Sequence, residues 1–329
     1  MGLFRRNGSA GARAQTRIFF ATDIHGSERC FRKWLNAGPV YGADCVILGG
    51  DITGKSLVPL CQVNSHWEGE SGGRPVQAND EAELEALKRK IADRGGYTRV
   101  STIDEREELK SDSGAFERAF AEAIRQRVRE WVALADERLK DSKIAFFVML
   151  GNDDDEELAE ILRSSSALRY AEDGVVQLPG DHEMVSLGYS TPTPWNTPRE
   201  CSEDELAGKI AGLVKQLERP ETAVLNLHCP PRDTNLDQAP QLDENLRPIV
   251  TPGGYAVMSV GAAAARKAIE DSGAALGLHG HVHESPGGQT LGRSICVNPG
   301  SEYGEGVLRG AIVDLAADGE VRRWQITQG

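Results

Sequence analysis

The stretch TRIFFATDIHG, Thr16 to Gly26, sets the architecture. A short apolar run bounded by polar residues reads as a buried strand. The residues that leave its end, Asp23 and His25, are of metal-binding type. The same grammar recurs down the chain: DCVILGGDITG (Asp44–Gly54) ends in Asp51, and KIAFFVMLGND (Lys143–Asp153) in Asn152 and Asp153. AVLNLHCPP (Ala223–Pro231) ends in His228, and ALGLHGHVHE (Ala275–Glu284) in His279, His281 and His283. In open α/β sheets, ligands bind outside the carboxyl ends of strands, so these side chains are expected to converge although they lie far apart in sequence.

Between the strands, SERCFRKWLNAG carries helical spacing with a stop expected at Gly38, and further helices are expected over Ser202–Glu218 and Ser259–Asp271. Later strands are expected at VVQL, EMVSLGY, RSICVN, RGAIVDL and VRRWQIT; the closing ones lack intervening helices and read as antiparallel. The fold class is therefore α/β with mixed sheets. Residues 1–15 read as a disordered arm and 16–329 as one domain. Residues from about 61 to 142 are polar, with Phe116, Phe120, Ile124, Val128, Trp131 and Leu134 forming one helical stripe. This region reads as a helical insertion packed on the core, serving as a structural addition, a lid or a homodimer surface.

The chain has 329 residues, is 40% hydrophobic and carries a net charge of −13. That charge argues against a protein that holds extended nucleic acid by its phosphates, but not against a phosphate-handling enzyme that carries its positive charge as metal. An apolar run of about eighteen residues is missing, so a transmembrane helix is not expected. Neither is a secretory signal, and the expected location is the cytoplasm. The six cysteines show no paired spacing and read as free thiols in a reducing compartment.

Taken singly, each motif has a plain explanation. His25 alone reads as a turn residue, and GGDITG alone as a strand-to-turn signal. The order D-x-H, G-D, G-N, H, G-H-x-H, each at a strand end, is far more specific. Mixed imidazole and carboxylate donors suit Mn, Fe, Zn or a similar divalent ion. Two such ions about 3.5–4 Å apart can clamp an in-line phosphoryl displacement and acidify a shared water.

The ordered set resembles the calcineurin-like metallophosphoesterases over Asp23 to His283. GYSTPTPWNTPRE, HCPPRDTNLD and NPGSEYGEGVLRG further resemble the predicted phosphoesterases related to the Icc protein. The resemblance implies a four-layer α/β/β/α sandwich with two divalent metal ions (Mn, Fe, Zn or Ni). Asp23, His25 and His283 would hold one ion; Asn152, His228 and His281 would hold the other; Asp51 would bridge. One position departs from the family. Its third motif usually reads G-N-H, with the histidine beside the leaving oxygen, and here Asp153 stands instead. A carboxylate there repels a monoester dianion more than a singly charged diester. A phosphodiesterase acting on a small phosphoester, nucleotide-like or otherwise, is the expectation. Asp153, if neutral, would protonate the leaving group, and His228 or Arg232 would stabilise developing charge. A phosphomonoesterase, a nucleotide pyrophosphatase and a catalytically silent metal-binding scaffold are the alternatives.

Several neighbours have open readings. His279 reads as a strand or supporting residue. His66 and His182 read as solvent-facing. Asn298 ends a strand with ordinary turn chemistry. Trp195, in TPTPWNTP, either faces substrate or packs. Asp154 with Glu157 fits a helix capping box.

Overall fold

The computed structural model describes residues 15–329. The arm expected over residues 1–15 lies outside the described residues except for Gln15. The chain opens with β1 (Gln15–Ala21), α1 (Glu28–Tyr41) and β2 (Cys45–Gly49). Next come β3 (Ser56–Val63), β4 (His66–Ser71), β5 (Arg74–Ala78), α2 (Glu81–Ala92), β6 (Gly96–Ser101), α3 (Ile103–Ser111) and the long α4 (Ser113–Leu139). The middle holds β7 (Ala145–Met149), α5 (Leu158–Arg163), β8 (Leu168–Tyr170), β9 (Val176–Leu178), β10 (His182–Leu187), α6 (Glu203–Val214) and β11 (Val224–Leu227). Two small hairpin ladders, β12 (Gln238–Pro240) with β15 (Val257–Ser259) and β13 (Val250–Thr251) with β14 (Gly254–Tyr255), precede α7 (Ala263–Ser272). The chain closes with β16 (Leu276–Leu278), β17 (Gly287–Leu291), β18 (Ser294–Asn298), β19 (Arg309–Ala316) and β20 (Val321–Gln328).

Two six-stranded sheets form the body, ordered β20-β19-β1-β2-β7-β8 and β17-β18-β16-β11-β10-β9. In the first, β1, β2, β7 and β8 run parallel, β19 runs antiparallel to β1, and β20 antiparallel to β19. In the second, β10, β11, β16 and β18 run parallel between antiparallel edges. Period-two alternation builds the layers. Ile18, Phe20, Ile47, Phe147 and Met149 face Met184, Val224, Leu278 and Val297 between the sheets. Phe19, Val46, Leu48, Phe146 and Val148 point the other way, onto α1, α4 and α5. Leu225 and Leu227 meet α6 and α7 on the opposite outer face. The result is the expected α/β/β/α sandwich.

Two expectations need correction. Helix α1 runs through Gly38 and Pro39 to Tyr41 and ends at Gly42, in the left-handed conformation. The stretch from 61 to 142 is more than a helical insertion: it holds a four-stranded sheet, β5-β4-β3-β6, beginning at Ser56. Val58, Leu60, Trp67 and Ala78 pack on Leu84 and Ile91 of α2, while Leu57 and Tyr97 meet Ala119, Phe116 and Phe120 of α4. These strands bury one residue at a time on alternate sides and carry Pro59, which masks their alternation. The stripe on α4 is real but divided, Phe116 and Phe120 lying against the added sheet and Val128 and Trp131 against the main body.

Candidate metal centre

The parallel strands of both sheets deliver their following loops to one edge, where the motif residues meet. Asp23 and His25 follow β1, Asp51 follows β2, Asn152 follows β7, His228 follows β11, and His281 and His283 follow β16. The backbone is held in an uncommon state to do this. Asp23, His25, Asp51 and His281 all have positive φ, at 53°, 37°, 48° and 67°, a left-handed conformation that costs on the order of 1–3 kcal/mol per non-glycine residue. Strain of this kind concentrated on one cluster marks a site that the surrounding packing over-determines. Two glycines give the loops room. A Cβ on Gly151 would stand 2.0 Å from Asp51 Oδ1, and one on Gly280 would stand 2.3 Å from Asp23 Oδ2.

Two donor sets lie side by side. Asp23, His25 and His283 form one, and Asp51, His228 and His281 the other, each with its ligand atoms within 4.8 Å of one another. His25 Nε2 lies 3.1 Å from His283 Nε2 and 3.7 Å from Asp51 Oδ2. His283 Nε2 is 3.2 Å from Asp23 Oδ1, and His228 Nε2 is 3.3 Å from Asp51 Oδ2. Asp51 Oδ2 thus stands within 3.7 Å of a ring nitrogen from each set.

Backbone partners fix the ring tautomers. His228 Nδ1 donates to Gly49 O at 2.9 Å and His25 Nδ1 lies 3.3 Å from Thr53 O, leaving each Nε2 lone pair toward the cluster. Asn152 Nδ2 donates to Thr197 Oγ1 at 2.9 Å, which turns Oδ1 to the site. Asn152 Oδ1 and His228 Nε2 are buried with no hydrogen-bond partner. A buried acceptor left unpaired costs about 1–3 kcal/mol, and a divalent cation would satisfy both. The donor set therefore fits such an ion.

The electrostatics agree. Burial opposes ionisation of Asp23 and Asp51, but the His228 ring beside both holds each carboxyl below its usual range. Burial likewise works against a charged His228, and Asp51 and Asp23 outweigh it, raising the ring to about 10. Burial drives His25 down to about 3 and His281 to about 4, the neutral form that a metal requires. The two buried carboxylates favour a proton on His228 Nε2, and a divalent cation would take that proton's place at the same nitrogen and supply the same compensation.

A cleft of about 800 Å³ opens over the cluster, with Asp51, Asn152, Asp153, His281 and His283 on its floor. Lys55, four residues after Asp51, also faces it and pairs with Asp153 Oδ2. Asp153 N–H donates to Asp51 Oδ1 at 3.0 Å, and burial with the nearby Asp51 charge lifts its carboxyl to about 6. Arg232 lines the cleft but pairs with Glu203 at 3.8 Å. His228 is wholly buried beneath Asp51 and does not line the cleft, which suits a ligand and not the contact with substrate expected of it.

Asp154 is not part of a capping box. Its buried carboxylate accepts from Ile52 N, Thr53 N, Thr53 Oγ1 and Gly151 N at 2.6–3.0 Å, tying the loop after β2 to the loop after β7. Helix α5 starts at Leu158 with no side-chain cap. His182 is buried, donating toward Thr222 O at 3.0 Å, so its solvent-facing reading is overturned. His66 is partly exposed near Glu68. His279 is buried, with Nδ1 2.8 Å from Leu227 O. Asn298 does more than turn the chain. Its amide bonds Val282 O and Leu236 O and accepts from Gly300 N, anchoring the loop of His281 and His283. The cysteines are free thiols among the described residues, and no helix there is long and apolar enough to cross a membrane.

Sequence reading missed Lys55, Thr197, Tyr303 and the buried pair of Arg199 with Glu172. The Tyr303 ring lies 4.7 Å from the His25 ring, tilted by 51°. Lys55 carried a signal in its nearness to Asp51; Thr197 and Arg199 carried none, because their partners are remote in sequence.

No protein-family model matches the chain. A stretch of 118 residues is 34% identical to the uncharacterized protein MJ1162 of Methanocaldococcus jannaschii, covering 35% of this chain and 47% of that protein. The match thus spans about half the length of this curated relative. The crystal structure of TT1561 of Thermus thermophilus aligns over 96% of this chain and 98% of its own, with a TM-score of 0.51 at 12% identity. Another crystal structure aligns over 95% and 99% with a TM-score of 0.53 at 13% identity. Likeness at such identity is one of fold, and that fold is the α/β/β/α sandwich expected from the sequence.

Proposed function

We propose that this protein is a metal-dependent phosphoesterase that uses two divalent ions and prefers small phosphodiesters. The observation that carries the reading is the pair of adjacent, largely buried donor sets, with Asp51 Oδ2 of one 3.7 Å from His25 Nε2 of the other and with Asn152 Oδ1 and His228 Nε2 unpaired, beneath an open cleft. Asp23, His25 and His283 would hold one ion; Asn152, His228 and His281 the other; Asp51 both. Bound divalent ions such as manganese, iron, zinc or nickel would supply Lewis-acid polarisation of the phosphoryl group and a water acidified for attack.

The chain's own residues do the rest. Asp51, fixed by Asp153 N–H, sets the spacing of the two donor sets. Thr197 orients the Asn152 amide, and the Gly49 and Thr53 carbonyls orient the His228 and His25 rings. Asp153 and Lys55 stand together beside the place a phosphoryl group would take. Their pairing supports the diesterase preference: Lys55 balances the Asp153 carboxylate without exceeding it. A monoester dianion gains no net attraction there, and a singly charged diester needs none. The net charge of −13 supports small esters over extended nucleic acid as substrates.

The test is turnover of bis-p-nitrophenyl phosphate against p-nitrophenyl phosphate, with metal content measured on the same preparation. Two bound ions and faster diester cleavage are expected. Equal rates would remove the diester preference, and two ions with no turnover on any phosphoester would leave a metal-binding scaffold.

A further inference from the structure

The cleft has a second half that the metal chemistry does not use. Opposite the ligand floor, its wall is built from Pro192, Pro194, Trp195, Leu242, Pro248 and Met258. Trp195 is 63% exposed and Met258 46% exposed, although both are large and apolar. Together they make an apolar surface open to the same cavity as Asp51 and His281. A cavity of about 800 Å³ is in the range that encloses a drug-sized ligand, mostly through apolar contact with a few fixed polar groups. A phosphoryl group bearing only small alcohols would leave this wall against water.

The wall is also held rigidly. The loop bearing Trp195 is closed at its base by Ser190 N–H to Arg199 O and Cys201 N–H to Ser190 O, at 3.1 and 3.0 Å. Glu200 accepts from Thr193 Oγ1 and Thr197 Oγ1 at 2.6 and 2.7 Å. Thr197 in turn bonds the Asn152 amide, so the loop that presents Trp195 also orients a metal-site residue. An exposed tryptophan on a loop this constrained is preorganised for contact, and little ordering entropy is lost when a ligand covers it.

We infer that this wall is a subsite for a large apolar arm of the substrate, so that the preferred ester is a phosphodiester with one bulky hydrophobic substituent, aromatic or alkyl. The inference rests on the phosphoesterase reading for its anchor at the metal floor, but it is read by binding as well as by turnover. The probes are p-nitrophenyl phosphodiesters whose second arm is methyl, hexyl or naphthyl, together with the matching non-hydrolysable methyl, hexyl and naphthyl phosphonates, titrated by calorimetry against metal-loaded protein. Affinity and kcat/KM should both rise at least tenfold from methyl to hexyl or naphthyl. In Trp195→Ala and in Met258→Ser, both exposed positions, that ratio should fall to within about threefold while the unfolding midpoint stays unchanged. A larger gain for naphthyl than for hexyl identifies an aromatic arm, and the reverse an alkyl one. Affinities that are flat across the phosphonates, or a ratio that survives both substitutions, overturn the subsite. If the phosphonates bind in the expected order but no ester turns over, the phosphoesterase reading fails and the apolar subsite stands.

Discussion

Replacing Arg199 by methionine tests how the loop bearing Trp195 and Thr197 is locked to the metal floor. Arg199 and Glu172 are both nearly inaccessible and bond at 2.7 Å. Arg199 also donates to Gly151 O at 3.2 Å, and its own N–H bonds Asn152 O at 3.1 Å. Breaking a buried ion pair from one side costs about 3–5 kcal/mol, because the remaining charge loses its partner. Glu172 would keep three donors, Leu150 N, Gly188 N and Tyr170 OH, so the lower end applies, about 3 kcal/mol. With an unfolding entropy of roughly 2.1 cal/mol/K per residue, a chain of this length loses about 4 °C of midpoint for that energy. Calorimetry on Arg199→Met, Glu172→Gln and the double variant checks it. The two losses should not add, and the double variant should melt within about 2 °C of Arg199→Met. A fall of less than about 1 °C in the single variant, or a double variant that loses the sum, would refute the coupling.

Three other outcomes are expected. Gly151→Ala and Gly280→Ala should each lower bound metal by at least half, by elemental analysis, with circular dichroism unchanged, since the added methyl collides with Asp51 or Asp23. Lys55→Met should reduce kcat/KM for p-nitrophenyl phosphate at least tenfold more than for the diester, because Asp153 is left unbalanced; equal losses would count against the charge argument. Away from the site, the hydrogen bond from Arg17 holds the Asp314 carboxyl below its usual range. A depressed carboxylate stabilises the fold above its unfolded pKa near 4, and that contribution is lost as pH falls through the lower folded value. The midpoint difference between wild type and Asp314→Asn should therefore be present at pH 7 and shrink as pH falls below the usual carboxylate range; a difference independent of pH would remove the pairing as its cause.

The strand ends were legible because a buried strand announces itself locally, and its loop residues follow within a few positions. Asp23, His25, Asp51, Asn152, His228, His281 and His283 could all be chosen from order alone, and the structure brings them to one edge. The acidic run after Gly151 was not separable in the same way. Asp153, Asp154 and Glu157 look alike in sequence, yet one pairs with Lys55, one ties two loops together and one precedes a helix and pairs with Arg125 on the surface. Which carboxylate does which depends on the direction each side chain takes from an irregular loop.

The added sheet was hidden for a related reason. Each face of β3 is buried by a different helix, so its pattern carries neither clean alternation nor a long apolar run. Local periodicity and turn chemistry were enough to read the alternation of strands and helices and the donor types at the strand ends straight from the chain; the four-layer sandwich came from the family resemblance, and the order of the strands within each sheet only from the structure. The tautomers of His228 and His25, the unpaired Asn152 Oδ1, the Lys55–Asp153 pair and the apolar wall around Trp195 emerge only once the chain is folded. Each of these depends on contacts between residues far apart in the chain, whose energies no local pattern records.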